Sequence, residues 1–166
     1  MGKIAWGLIF LFFDLNINHI SITPAFVGYI LIALGMKEYG SCPVTRGGET
    51  CGWVSAVLAF LLWIPAAFFG RTAMALVLTG LQLVVTWQIV ELVHQMETRL
   101  DKDLNWEGLR WIWRIMAVLQ GSNAVLSIIA VYVGEYGVAV ALAVATLVSA
   151  VCFTVAFWRR KRLAFG

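Results

Sequence analysis

The sequence predicts an all-α, polytopic membrane helical bundle of about six transmembrane helices, the first of them short or broken. Three observations predict it. Of 166 residues, 61% are apolar and only 13% charged, too little polar surface to clothe a water-soluble globule of that size. The apolar residues gather into blocks of roughly membrane-crossing length with brief polar punctuation between them. Threading those blocks as six spans puts eleven of the twelve Lys and Arg residues on one side: Lys3, Lys37, Arg46, Arg99, Lys102, Arg110, Arg114 and the run Arg159, Arg160, Lys161, Arg162, with Arg71 alone on the other. Basic loops are retained in the cytoplasm during insertion, so the same threading places both termini on the cytoplasmic side of the cell membrane.

The net charge of +3 does not point to nucleic acid. The basic residues stand singly at span ends, with one cluster after the last span, as topology alone requires.

The first block covers residues 3–19, but Asp14, Asn16 and Asn18 interrupt its outer end. The apolar part before Asp14 covers only about half of the roughly 20 residues a crossing helix needs, so the helix is expected to stop inside the membrane. The opening also resembles a signal peptide. Asp14 and Asn16 stand where a small-residue cleavage site belongs, and the segment is expected to stay as the first span. Pro24 suits a first helical turn and opens the second span, 24–39, with Gly28 and Gly35 on one face. Residues 40–52, rich in Gly and containing Cys42 and Cys51, read as a cytoplasmic loop whose thiols stay reduced. Spans three and four, 53–69 and 72–97, form an antiparallel hairpin about the Gly70-Arg71 turn. Residues 98–107 are the most charged stretch and read as a cytoplasmic loop or interfacial turn. Span five is 108–133 and span six 137–158, giving a single transmembrane domain over 1–166.

Aromatic residues provide an independent check, because Trp and Tyr favour the headgroup boundary. Trp6, Tyr39, Trp53, Trp106, Trp111, Trp113 and Trp158 fall near the inner interface in this threading; Tyr132 and Tyr136 fall near the outer one. Trp63 and Trp87 fit neither and are expected to pack between helices or face lipid. Cys152 is expected to pack as a small apolar side chain. In span six, Ala139 with Ala143 and Ala145 with Ser149 repeat at i, i+4, a spacing that allows close helix approach within the chain or in a homo-oligomer.

Function is carried by the polar residues inside spans, since each costs free energy unless it is paired or wetted. One group is Asp14, Asn16, Asn18 and His19, followed by Ser21 and Thr23. Its alternation with Leu15, Ile17, Ile20 and Ile22 has a period of two, which predicts extended or irregular backbone, tolerated at membrane depth only when buried in protein or facing water. Thr79, Gln82 and Thr86 form a second stripe on span four. Gln120, Asn123 and Ser127 form a third on span five. Convergence of the three would make a polar chamber in the outer half, with Asp14, Asn16, Asn18, His19, Gln82 and Asn123 as ligand-binding residues for a small solute or ion. The competing reading is that these amides and hydroxyls bond neighbouring helices and meet no ligand.

Other chemistry has less support. Asp14-x-Asn16-x-Asn18 copies the start of a calcium loop, but His19 stands where the turn needs Gly and Ala25 where the closing carboxylate belongs. Glu91 and His94 share the Glu-x-x-His spacing of di-metal bundles, with Glu97 nearby, but no second such pair exists. No nucleophile elbow, HExxH motif or phosphate loop is present in the sequence. The expectation is a protein without enzymatic activity, metal or cofactor.

The order FLFFDLNIN, then Pro24 with Gly28-Tyr29-Ile30-Leu31, then VELVHQME before an acidic-basic stretch, and a terminal FWRRK resembles a family of small uncharacterised integral membrane proteins from anaerobic Gram-positive bacteria. The likeness spans most of the chain and is densest over residues 14–31. It departs from the family at Ala25, where members carry an acid. It implies the fold and the membrane location, and no function. Two readings follow: a protein that binds or translocates a small solute or ion around a broken first helix, or a non-catalytic accessory subunit of a membrane complex.

Overall fold

The computed structural model describes residues 1–12, 16–17, 20–21, 25–40, 43–63, 71–101, 104–133 and 136–165. They form six helices, α1 (Gly2–Phe12), α2 (Ala25–Lys37), α3 (Pro43–Trp63), α4 (Arg71–Leu100), α5 (Trp106–Val133) and α6 (Tyr136–Phe165). A short antiparallel ladder joins β1 (Asn16–Ile17) to β2 (Ile20–Ser21), with Asn16 opposite Ser21 and Ile17 opposite Ile20. Each helix packs on the next in sequence, and α6 returns against α1, closing the series. Trp6 and Trp158 mark that closure with an edge-to-face contact, ring centroids 6.2 Å apart.

Two segments, Ala73–Leu100 and Val140–Arg160, are long and apolar enough to cross a membrane. Helices α1 and α2 are apolar but have 11 and 13 residues. Helices α3 and α5 have the length, at 21 and 28 residues, but bring charge into their first turns through Arg46, Glu49, Glu107, Arg110 and Arg114.

The polar alternation after Leu11 separates α1 from α2. Helix ends at Phe12, and the backbone is extended at both short strands, so the stretch with period two contains no described helix. The two helices flanking it lie unusually close. A methyl group added at Gly28 would sit 2.8 Å from the Gly7 carbonyl oxygen, and one at Gly35 would sit 3.0 Å from the Ile4 nitrogen. Contact this close between backbones needs glycine, as it does where helices pack through small residues in lipid.

Residues 40–52, expected as a loop, are helical from Pro43 onward. The glycines there disfavour helix by roughly 1 kcal/mol each relative to Ala, and tertiary packing overrides that cost. Gly47 and Gly48 make room for the Gln88 side-chain amide of α4, and a methyl at Gly52 would lie 2.9 Å from the Ala33 Cβ of α2. The early start of α3 leaves Trp53 midway along the helix. Cys51 is a free, half-buried thiol within α3, and Cys42 lies outside the described residues.

Burial is uneven along the helices. Ile4, Leu8, Ile32, Met36, Ile89, Val93, Leu109, Met116, Phe153 and Phe157 form the core. No residue of α4 from Ala73 to Val84, and none of α6 from Val140 to Val148, is buried. Among the described residues, α4 and α6 therefore bury side chains only in the halves nearer their basic ends, whereas α1 and α2 stay in close contact as far as Leu11 and Gly28.

Candidate functional site

The α4–α5 pair carries most of the specific polar chemistry. Thr86 of α4 is fully buried and donates its hydroxyl to the Gln82 carbonyl at 2.8 Å, a bond any mid-helix threonine can make. The same oxygen accepts the Trp113 indole N–H from α5 at 3.0 Å. Trp113 also packs against Trp87, centroids 4.8 Å apart. One turn further toward the charged end, the Arg110 guanidinium lies 5.7 Å from the Trp87 ring centroid and 5.4 Å from that of Trp106. His94 also packs on Trp106, ring centroids 4.2 Å apart. Aromatic faces attract a cation electrostatically, so the column holds Arg110 in place of a carboxylate partner.

Below the column, Glu97 closes the α4–α5 connection. Its Oε2 accepts the backbone N–H of Leu104 at 2.9 Å and of Trp106 at 3.2 Å. These are donors at the start of α5 that have no partner inside the helix, and a carboxylate there also opposes the positive helix end. Asn105 is the N-cap residue: its φ is 51 degrees, with Asp101 likewise positive at 48, and its Oδ1 accepts the Gly108 N–H at 3.1 Å. Asn tolerates that left-handed conformation better than most residues. Arg160 of α6 then binds the Asn105 carbonyl from two nitrogens.

The Glu91, His94, Glu97 grouping is thus divided between different tasks, with His94 against an indole and Glu97 on backbone amides. Among the described residues no three His, Cys, Asp or Glu side chains gather as a metal site.

The residues expected to bind a solute are distributed as follows. Asp14, Asn18 and His19 lie outside the described residues, and Asn16 is described through its backbone in β1. Gln82 and Asn123 are both half-buried. Pairing Thr86 with Trp113 and His94 with Trp106 sets the antiparallel register and makes Gln82 level with residues 117–118. Asn123 therefore lies roughly 8 Å further out at ~1.5 Å per residue. Gln120 stands between those levels, is 8% exposed, and its Oε1 has no hydrogen-bond partner among the described residues.

Of the two expected stripes, Thr79 and Thr86 bond carbonyls of their own helix, and Thr86 also anchors α5. Sequence reasoning missed the Trp87–Arg110–Trp106 column and the Glu97 clamp. The Asn105-Trp106-Glu107 signature of a helix start was visible, whereas the pairing of Trp87 with Arg110 needs the α4–α5 register. No family model, characterised protein or solved structure matches the chain.

Proposed function

We propose that this is a multi-pass protein of the cell membrane, six-span with both termini cytoplasmic, that binds or translocates a small polar solute or ion beside the outer parts of α4 and α5. The membrane part of this reading is supported by large apolar side chains that face outward on four helices: Val57 and Phe60 on α3, Val77 and Val84 on α4, Ile115, Val118 and Val125 on α5, and Val140, Val144 and Val148 on α6. An exposed apolar surface of this extent is adverse in water and favourable in lipid. The two crossing-length segments of α4 and α6 agree with it.

The observation that carries the binding part is Gln120. A buried amide oxygen left without a donor costs about 1–3 kcal/mol, and a solute or ordered water removes that cost. It sits beyond the packed core, where no α5 residue from Gly121 to Leu126 is buried, with Gln82 and Asn123 inward and outward of it. Asp14, Asn16, Asn18 and His19 would complete such a site from the α1–α2 connection.

Thermal unfolding in nanodiscs, with alkali and alkaline-earth cations, inorganic anions and small zwitterions added in turn, tests this. A saturable rise in midpoint that Gln120→Leu abolishes is the expected result, since ligand that binds only the folded state raises its stability. A Gln120→Leu protein that is more stable than the parent and unchanged in every solute response assigns the amide to helix packing.

The accessory-subunit reading has one observation in its favour. Thr86, a member of the predicted polar stripe, already bonds Gln82 and Trp113 and so serves as a link between helices. In that reading the exposed α6 face, with Val140, Val144 and Val148, meets a partner in a membrane complex or a second copy of the chain.

A further inference from the structure

We propose that the outward face of α5 holds an anionic phospholipid of the cytoplasmic leaflet, its phosphate on Arg114 and its acyl chain along Ile115 and Val118. The proposal rests on the membrane reading above and would fall with it.

Two arginines near the start of α5 are treated differently by the fold. Arg110 is enclosed, with aromatic rings of Trp87 and Trp106 on it and its Nε covered. Arg114 points outward. Its one described interaction is with Trp111, 5.9 Å from guanidinium carbon to ring centroid, and among the described residues it has no carboxylate within ion-pair distance. Glu107, one turn before Trp111, is exposed but makes no ion pair with it. Trp111 is itself 63% exposed, the headgroup-level position that an indole favours. An unpaired guanidinium stacked on an interfacial indole presents its N–H fork to a phosphate, a match Arg makes better than Lys.

The surface beyond this pair is apolar and continuous. Ile115, Val118 and Val125 follow Trp111 at helical spacing and are 51%, 68% and 58% exposed. The stripe ends in a shallow notch formed by Gly121, Ser122, Val125 and Leu126, and a methyl group added at Gly121 would meet nothing within 4 Å. Eleven residues separate Arg114 from Val125, which is roughly 16 Å at ~1.5 Å each and close to half of a ~30 Å hydrocarbon core. Charge at one end and an apolar track one leaflet long identify the occupant as a lipid with a phosphate headgroup. The basic residues around the same end favour an anionic over a zwitterionic one.

Native mass spectrometry of the full chain released from mixed vesicles of phosphatidylglycerol and phosphatidylcholine, matched in acyl chains, tests the proposal. Preferential retention of phosphatidylglycerol is expected, reduced about fivefold by Arg114→Gln, partly restored by Arg114→Lys, and unchanged by Arg159→Gln, which removes an exposed arginine elsewhere. Equal retention of both lipids would overturn it. So would equal losses in Arg114→Gln and Arg159→Gln, which indicate diffuse attraction, or displacement of the lipid by inorganic phosphate alone. Carbonate extraction of the same membranes separates the two failures. Release into the supernatant defeats the membrane reading, whereas a membrane-retained protein without lipid preference defeats only the lipid site.

Discussion

Arg160 donates from Nε at 3.2 Å and from a terminal nitrogen at 2.8 Å to the carbonyl oxygen of Asn105. A third nitrogen bonds the Ala156 carbonyl of its own helix at 2.9 Å. One guanidinium thus ties the end of α6 to the connection between α4 and α5, at the packed end of the bundle.

Arg160→Leu should therefore lower stability by roughly 1.5–3 kcal/mol, the range for hydrogen bonds to a charged group. Arg160→Lys should recover less than half of it, because an ammonium cannot serve both carbonyls in the planar geometry of the fork. Denaturation of the purified variants measures both. Equal stability of Arg160→Leu and the parent would show that the link contributes nothing.

Glu97 reaches the same connection from α4. Glu97→Ala leaves two amide donors of α5 without an acceptor and should cost about 1–3 kcal/mol. Glu97→Gln keeps an oxygen at the site and loses only the charge and its interaction with the helix end, about 0.3–1 kcal/mol. Thermal melts of the pair should rank parent, then Gln, then Ala.

The glycines divide into two groups with opposite expectations. Gly28→Ala places a methyl 2.8 Å from the Gly7 oxygen and 2.9 Å from the Leu11 nitrogen. Backbone on both sides cannot give way, so a loss of about 1–3 kcal/mol is expected. Gly80→Ala and Gly121→Ala meet nothing within 4 Å and should be neutral or add up to ~1 kcal/mol through helix propensity. A Gly28→Ala protein as stable as Gly80→Ala would contradict the close α1–α2 approach.

Stability should also respond weakly to acid through Glu38. A hydrogen bond from Lys3 outweighs desolvation and, with the Lys3 and N-terminal charges adding to it, holds its carboxyl below the usual value. A depressed carboxylate contributes stability above its unfolded pKa, and the contribution disappears as pH falls through the folded one. Glu38→Gln should remove this component of acid sensitivity. The effect should also fade in high salt, because the pair is exposed. Acid titrations of the two proteins that superimpose in low salt would exclude it.

Much of the helix order was legible in the sequence because apolar blocks and their punctuation are local signals. The short first helix was readable from Asp14 and the alternation after it, and α2 ends at Lys37, two residues before the expected end of the second span at Tyr39. The start of α3 was hidden, since Gly47, Gly48 and Gly52 argue against helix locally and only Gln88 and Ala33, distant in sequence, explain why the helix persists. Cys152, expected to pack as a small apolar side chain within a span, is exposed on α6; a helix apolar all round gives no cue to its outward face. The Trp87–Arg110–Trp106 column joins residues on two helices whose register no single-chain pattern encodes. Of the candidate site, Gln82 and Asn123 take positions on facing helices, while Asp14, Asn18 and His19 are not among the described residues.

The most direct test of the central claim is modification of a single cysteine at Asn123 in intact cells, with Cys42, Cys51 and Cys152 replaced by alanine. Asn123→Cys should react with a membrane-impermeant thiol reagent supplied from outside, as a water-filled outer cleft requires. Reaction only with a lipid-soluble reagent, or only from the cytoplasmic side, would contradict it.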